Sequence, residues 1–102
     1  MARVIVSKEA RNDLISICDY IRDDLANPDA AQRILELLKQ SIYSLTEMPQ
    51  RGTQLDAMLS VHTGYRFLVC EKYRVFYLCD GETVEVVRIL HTLQDYMRAL
   101  FL

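Results

Sequence analysis

Several things are scarce in this 102-residue chain, and each scarcity closes off a class of protein. Long uncharged stretches are missing: runs such as Gln40 to Thr46 fall far short of the ~18 apolar residues of a membrane span. MARVIVSKEA lacks the apolar core of about 7–15 residues that marks a secretion signal. Neither end carries a lipidation motif. A cytoplasmic protein with no membrane partner is therefore expected. Cysteine is scarce and odd in number: Cys18, Cys70 and Cys79, with no CxxC pair. That argues against a disulfide framework and against a zinc site. Buried, reduced thiols fit better. No metal and no cofactor is expected. Positive charge is short as well. The net charge is −2, so the chain lacks the cationic footprint of a general nucleic-acid binder.

What remains is an ordinary globular composition. Half of the residues are apolar (51%) and a quarter charged (25%), which excludes disorder. One domain spanning 1–102 is expected, since a chain of this length buries roughly two thirds of its unfolded surface in one core. The charge is uneven. Residues 1–50 hold six Lys/Arg against eight Asp/Glu, and residues 51–102 hold six against six. A neutral second half can still carry a local basic surface.

The apolar pattern changes period along the chain. ARVIV (2–6) reads as a short strand. Ser7 is placed to cap a helix whose stripe is Ala10, Leu14, Ile17, Cys18, Ile21 and Leu25. The acids Asp13, Asp19, Asp23 and Asp24 fall outside that stripe and read as a solvated face. Asn27-Pro28 begins a second helix, with Ala31, Ile34, Leu35, Leu38, Ile42 and Leu45 on one face. So short a break makes the two helices antiparallel neighbours. Pro49 ends the helical region, and residues 50–64 carry too little pattern to assign. Period two then takes over in YRFLVCE, YRVFYLC and TVEVVRILH. Asp80-Gly81 is the expected two-residue hairpin turn, with Glu71-Lys72 as the other. DYMRALFL ends the chain as a short helix or an apolar tail. The expected fold class is α+β: an N-terminal strand, then a helical hairpin packed on one face of a twisted, mainly antiparallel sheet.

Turns at 71–72 and 80–81 fix a register. Leu68, Val75 and Val86 align, as do Arg66, Tyr77 and Val84, and Cys70, Tyr73 and Arg88. The opposite set is Phe67, Val69, Phe76, Leu78, Val87 and Ile89, with Arg74 and Glu85 among them. It is the more apolar, so it is expected against the helices. A single bulge would change this parity.

Three pieces of sequence, GYRFLV, VFY and VVRILHTLQD, follow the two helices. Together with the opening SKEARNDLISICDYI they resemble the ParE/RelE toxin superfamily of type II toxin–antitoxin modules, closer to its ParE-like wing. The resemblance covers nearly the whole chain in element order and length. It implies a growth-inhibiting toxin bound by a cognate antitoxin. ParE-like members poison DNA gyrase, whereas RelE-like members cut mRNA on the ribosome without a metal. The RelE-like cationic set maps here onto Arg66 and Arg74, but its second lysine falls at Leu68 and its last basic residue near Thr92. That thin set, and a pI of about 5.6, favour gyrase over the ribosome and mRNA. A third reading is a degenerate chain that binds antitoxin without toxicity. Arg66, Arg74 and Arg88 are the expected target-binding residues. His91, Tyr96 and Arg74 become the catalytic candidates under the nuclease reading, because such cleavage needs an acid, a base and a cation. Asp95 is expected to cap the last segment or pair with Arg88. Arg88, within a strand of aliphatics, needs an open face or a carboxylate. The free sheet edge and the tail Leu100–Leu102 suit an antitoxin segment.

Overall fold

Val4 and Val6 set the parity of the whole sheet. They lie in strand β1 (Arg3–Val6), which pairs in parallel with β5 (Thr83–His91), so that Val4 stands opposite Val84 and Val6 opposite Val86. The computed structural model describes residues 1–59 and 62–101. Ser7 ends β1 and starts helix α1 (Lys8–Asp19) with one hydroxyl: it accepts from the Ala10 amide and donates to the Val87 carbonyl, both at 3.0 Å. The helix then widens into a π turn over Tyr20–Asp24, closed by the Leu25 amide donating to the Tyr20 carbonyl at 3.1 Å. Helix α2 (Pro28–Ser44) opens as its sequence requires. Pro28 occupies the first turn, and the Asn27 side chain accepts from the Ala30 amide.

Three antiparallel strands complete the sheet: β3 (Tyr65–Cys70), β4 (Tyr73–Asp80) and β5. A two-residue strand, β2 (Thr53–Gln54), pairs with the outer edge of β3. The order is β1-β5-β4-β3-β2, so β1 and β2 are the free edges. A one-turn 3-10 helix, Leu55–Ala57, follows β2, and a six-residue helix α3 (Tyr96–Phe101) ends the described chain. The architecture is the expected α+β arrangement of a helical pair on a mainly antiparallel sheet.

Two details of the register differ from expectation. The β4–β5 turn is Gly81-Glu82, with Asp80 still in the ladder opposite Thr83. Only Gly81 takes a positive φ (+61°), so the turn needs one left-handed residue and the chain spends its glycine on it. The ladder also slips at Phe76/Tyr77, where Val87 is the extra residue. Leu68 and Val75 therefore align with Ile89 instead of Val86, Arg66 and Tyr77 with Val86 instead of Val84, and Cys70 and Tyr73 with His91 instead of Arg88. The Glu71-Lys72 turn is as expected.

The two sheet faces are also reversed from expectation, except at Ile89, which the slip at Val87 returns to the hairpin side where it was expected. The hairpin of helices covers Leu68, Val75, Tyr77, Val84, Val86 and Ile89, which form the main core with Leu38, Ile42 and Leu45. The apparently richer set, Phe67 and Phe76 with Leu90, lies on the far face under Leu55, Tyr96 and Leu100. Two facts account for this. Val4 and Val6 carry the parity of Val84 and Val86 to the start of α1. The unassigned 50–64 segment and the C-terminal residues supply the cover that the far face needs. Leu100 is thus part of a core, and Leu102 lies outside the described residues.

Candidate functional site

The arginines of β3, β4 and β5 divide into two roles. Arg88 sits where β1 has ended and the edge of β5 would be bare. Asp13 of α1 fills that gap. Its carboxylate accepts from Arg88 Nε at 2.7 Å, from Arg88 Nη2 at 2.9 Å and from the Ile89 amide at 2.9 Å. The pair is largely covered, at 27% and 15% side-chain exposure. The Asp13 carboxylate pushes the guanidinium pKa up. Arg88 is therefore a fastener between sheet and helix, and its carboxylate is Asp13, which the sequence placed on a solvated face.

Arg66 is a second fastener. One of its terminal nitrogens donates to the Gln50 and Gly52 carbonyls at 3.0 and 2.9 Å. Beside it, the Gly52 amide donates to the buried Tyr77 hydroxyl at 2.9 Å. A side chain at Gly52 would meet that hydroxyl at 2.6 Å, so the close approach requires glycine. Burial pushes the Tyr77 pKa up.

Arg74 differs from both. It stands on the face away from the hairpin, with its guanidinium 5.1 Å from the Phe67 ring and 5.6 Å from the Tyr96 ring. Its Nε is buried with no hydrogen-bond partner among the described residues. Tyr96 also lies 5.6 Å from Phe76. Its position depends on Asp95, whose side chain accepts from the Arg98 amide at 3.2 Å at the start of α3. Val69, paired with Arg74 across the strands, is 63% exposed beside it.

His91 is not part of this group. It pairs with Tyr73, on the hairpin side, and the two rings meet edge to face at 5.5 Å. Its Nδ1 accepts from the Leu93 amide at 3.0 Å, and its own amide donates to Gln94 Oε1 at 3.1 Å. An Nδ1 that accepts carries no proton, so the neutral ring is held as the Nε2–H tautomer. A general base working through Nε2 would need the opposite tautomer and would break the Leu93 bond. The structure thus brings together Arg74 and Tyr96 of the three catalytic candidates and leaves His91 on the other face.

Two further arrangements had little signal in the sequence. Asp56 ties its loop by accepting from the Thr63 amide and hydroxyl, and lies 3.1 Å from His62 Nδ1. The Thr63 hydroxyl holds the Asp56 carboxyl below the usual carboxylate range. At the free edge of β1, a groove with Val4, Ile5 and Tyr43 in its lining carries Arg3, Arg11 and Lys39. Among the described residues, no three His, Cys, Asp or Glu side chains converge as a metal site would need.

Comparison with known proteins gives these features a setting. The family model described as the ParE toxin of the type II toxin–antitoxin system parDE matches residues 4–96. Toxin RelE2 of Caulobacter vibrioides is 38% identical over 92 residues, covering 89% of this chain and 96% of the relative. Toxin ParE1 of Mycobacterium tuberculosis is 32% identical over 100 residues, covering 97% and 98%. Among solved structures, a chain of the chromosomal ParDE system from P. aeruginosa superposes with a TM-score of 0.73 at 20% identity, covering 89% and 96%. A chain of the RelBE2 toxin–antitoxin complex from Mycobacterium tuberculosis gives 0.62 at 22%, covering 88% and 96%. Both share the fold. With the family model running from within β1 through β5 and including both long helices, the chain belongs to the ParE toxin family of type II toxin–antitoxin systems.

Proposed function

We propose that this toxin acts as a single cytoplasmic domain that inhibits DNA gyrase by binding it, and that a cognate antitoxin neutralises it. One observation carries the preference for binding over cleavage: the acid, base and cation of a metal-free nuclease are not assembled. Arg66 and Arg88 are spent on internal contacts, and His91 is held in a tautomer without a free Nε2 lone pair on the far side of the sheet from Arg74. Arg74 instead suits a docking anchor. Two aromatic rings pre-orient its guanidinium, which lowers the entropy lost on meeting a carboxylate or phosphate. For the antitoxin, the β1 edge offers backbone groups for an added strand, and Arg3, Arg11 and Lys39 favour an acidic segment with apolar side chains.

Supercoiling by purified gyrase tests the proposal. Inhibition by the wild-type chain is expected, and Arg74→Ala should weaken it by about 30-fold, the effect of losing an interface arginine worth ~2 kcal/mol. Unimpaired supercoiling together with codon-specific cuts on translating ribosomes would establish the nuclease reading, which the Arg74–Tyr96 contact favours. Normal growth when the chain is expressed without antitoxin would leave the degenerate reading in place.

A further inference from the structure

A cavity of about 360 Å³ opens between α1 and the ends of β4 and β5, lined by Ser16, Ile17, Tyr20, Tyr73, His91 and Gln94. Nothing in the gyrase proposal uses it. Three of its six residues are aromatic, and they are held by separate devices. Tyr20 begins the π turn, so its carbonyl serves Leu25 while its ring stays 52% exposed at the cavity. Tyr73 is half-buried, and its ring meets His91 edge to face at 5.5 Å. His91 is fixed at both ends of its local turn, through its own amide to Gln94 Oε1 and through Nδ1 from the Leu93 amide.

These bonds decide the polarity of the cavity. Accepting at Nδ1 leaves Nε2 as an N–H donor. Accepting at Oε1 leaves the Gln94 amide nitrogen with two donors. The Ser16 hydroxyl can donate as well. The cavity therefore joins aromatic surface to an excess of donors, and the ligand it fits is a planar ring with acceptor atoms on its edge. Charge narrows this further. The nearby end of α1 and the π turn that follows carry Asp19, Asp23 and Asp24 against Arg22 alone, and Arg22 is already bonded to Asp19 and Asp23. A run of phosphates is disfavoured there.

We infer that this cavity is a receptor for a single nucleobase, stacked against Tyr20 and Tyr73 and read on its acceptor edge by His91 Nε2–H and the Gln94 amide. The base can come from a free nucleoside or from the end of a single strand, with its phosphates directed away from α1. Stacking supplies the sequence-tolerant share of binding, and the donors supply preference for acceptor-bearing rings.

Titration of the full ¹⁵N-labelled chain tests this, with adenosine, adenosine monophosphate, a short single-stranded oligoadenylate and indole riboside as probes. Adenosine is expected to shift the amides of Ser16, Tyr20, Leu93 and Gln94 saturably, and more tightly than its monophosphate. A tighter response to the oligonucleotide at the same amides would assign the base to a strand end, and a response to adenosine alone would assign it to a free nucleoside. Tyr20→Ala, at an exposed position, should weaken binding about tenfold, as loss of one base–aromatic stack does. His91→Asn keeps an acceptor where Nδ1 stands and removes the Nε2 donor while the Gln94 amide still donates, so it should reduce the preference for adenosine over indole riboside. Equal binding of indole riboside to the wild type, unchanged affinity in Tyr20→Ala, or no saturable shift at these amides with millimolar adenosine would each overturn the inference. So would a histidine ¹⁵N spectrum placing the neutral proton on Nδ1.

Discussion

The two faces of one sheet are buried by different means. Aliphatic residues and one tyrosine pack the hairpin face: Leu68, Val75, Tyr77, Val84, Val86 and Ile89 lie under two long helices, and the seam is closed by an ion pair, Arg88 with Asp13. On the far face, Phe67, Phe76 and Leu90 lie under a six-residue helix that begins at Tyr96 and a 3-10 turn, and the arginine there, Arg74, rests on the Phe67 and Tyr96 rings and has no carboxylate partner among the described residues. The difference separates two jobs. Long helices can bury a strand completely, so any cation at that boundary must be neutralised within the protein. A short cover leaves its rim open, and a cation at the rim can serve something outside.

The contrast can be tested by weakening each side in turn. The largest effect should come from Phe76→Ala, which empties the centre of the far core. A loss of about 3–5 kcal/mol is expected from the midpoint of urea unfolding. A loss below ~1 kcal/mol would mean that the short cover does not form a core at all. Next comes Asp13→Ala, which strands the Arg88 guanidinium and the Ile89 amide. Because the pair is only partly covered, the expected cost is roughly 2–3 kcal/mol, below the ~3–5 of a fully buried pair. The double variant Asp13→Ala/Arg88→Met should recover part of it, since the unpaired charge is then gone.

A smaller loss of about 1 kcal/mol is expected for Asp95→Ala, which removes a helix cap. Its distinguishing sign is local: hydrogen exchange should quicken in α3 while the hairpin face is unaffected. The smallest effect concerns pH. Asp56 has a folded-state pKa below its unfolded value, so its contribution is present above the ordinary carboxylate range and fades as pH falls through the lowered folded pKa. Melting temperatures of the wild type and Asp56→Asn should differ at pH 7 and converge in acid, below about pH 4. A gap that persists in strong acid would show that the variant harms the loop in some other way.

Much of the fold was legible in the chain. Ser7, Asn27 and Pro28 mark helix starts because their chemistry is local: a short side chain reaches an amide three residues on, and proline lacks the amide that a first turn leaves unpaired. The Glu71-Lys72 turn follows from strand periodicity on both sides. The site was less legible. Arg88 visibly required a carboxylate, yet its partner lies 75 residues away, and Asp13 looks like any other acid on an amphipathic helix. Gly52 gave no hint that the Tyr77 hydroxyl passes against it.

By itself the sequence determined the order of the two long helices and four main strands, their approximate ends and the membership of one toxin family, because caps, periodicity and motif spacing act over a few residues; it left residues 50–64, with β2 and the 3-10 turn, unassigned. Only the tertiary structure decided which sheet face met the helices, which arginines were spent internally and where His91 pointed. The physical reason is that parity along a strand has period two. One extra residue at Val87, and a parallel strand bearing Val4 and Val6, are enough to choose between two faces that look alike in the letters.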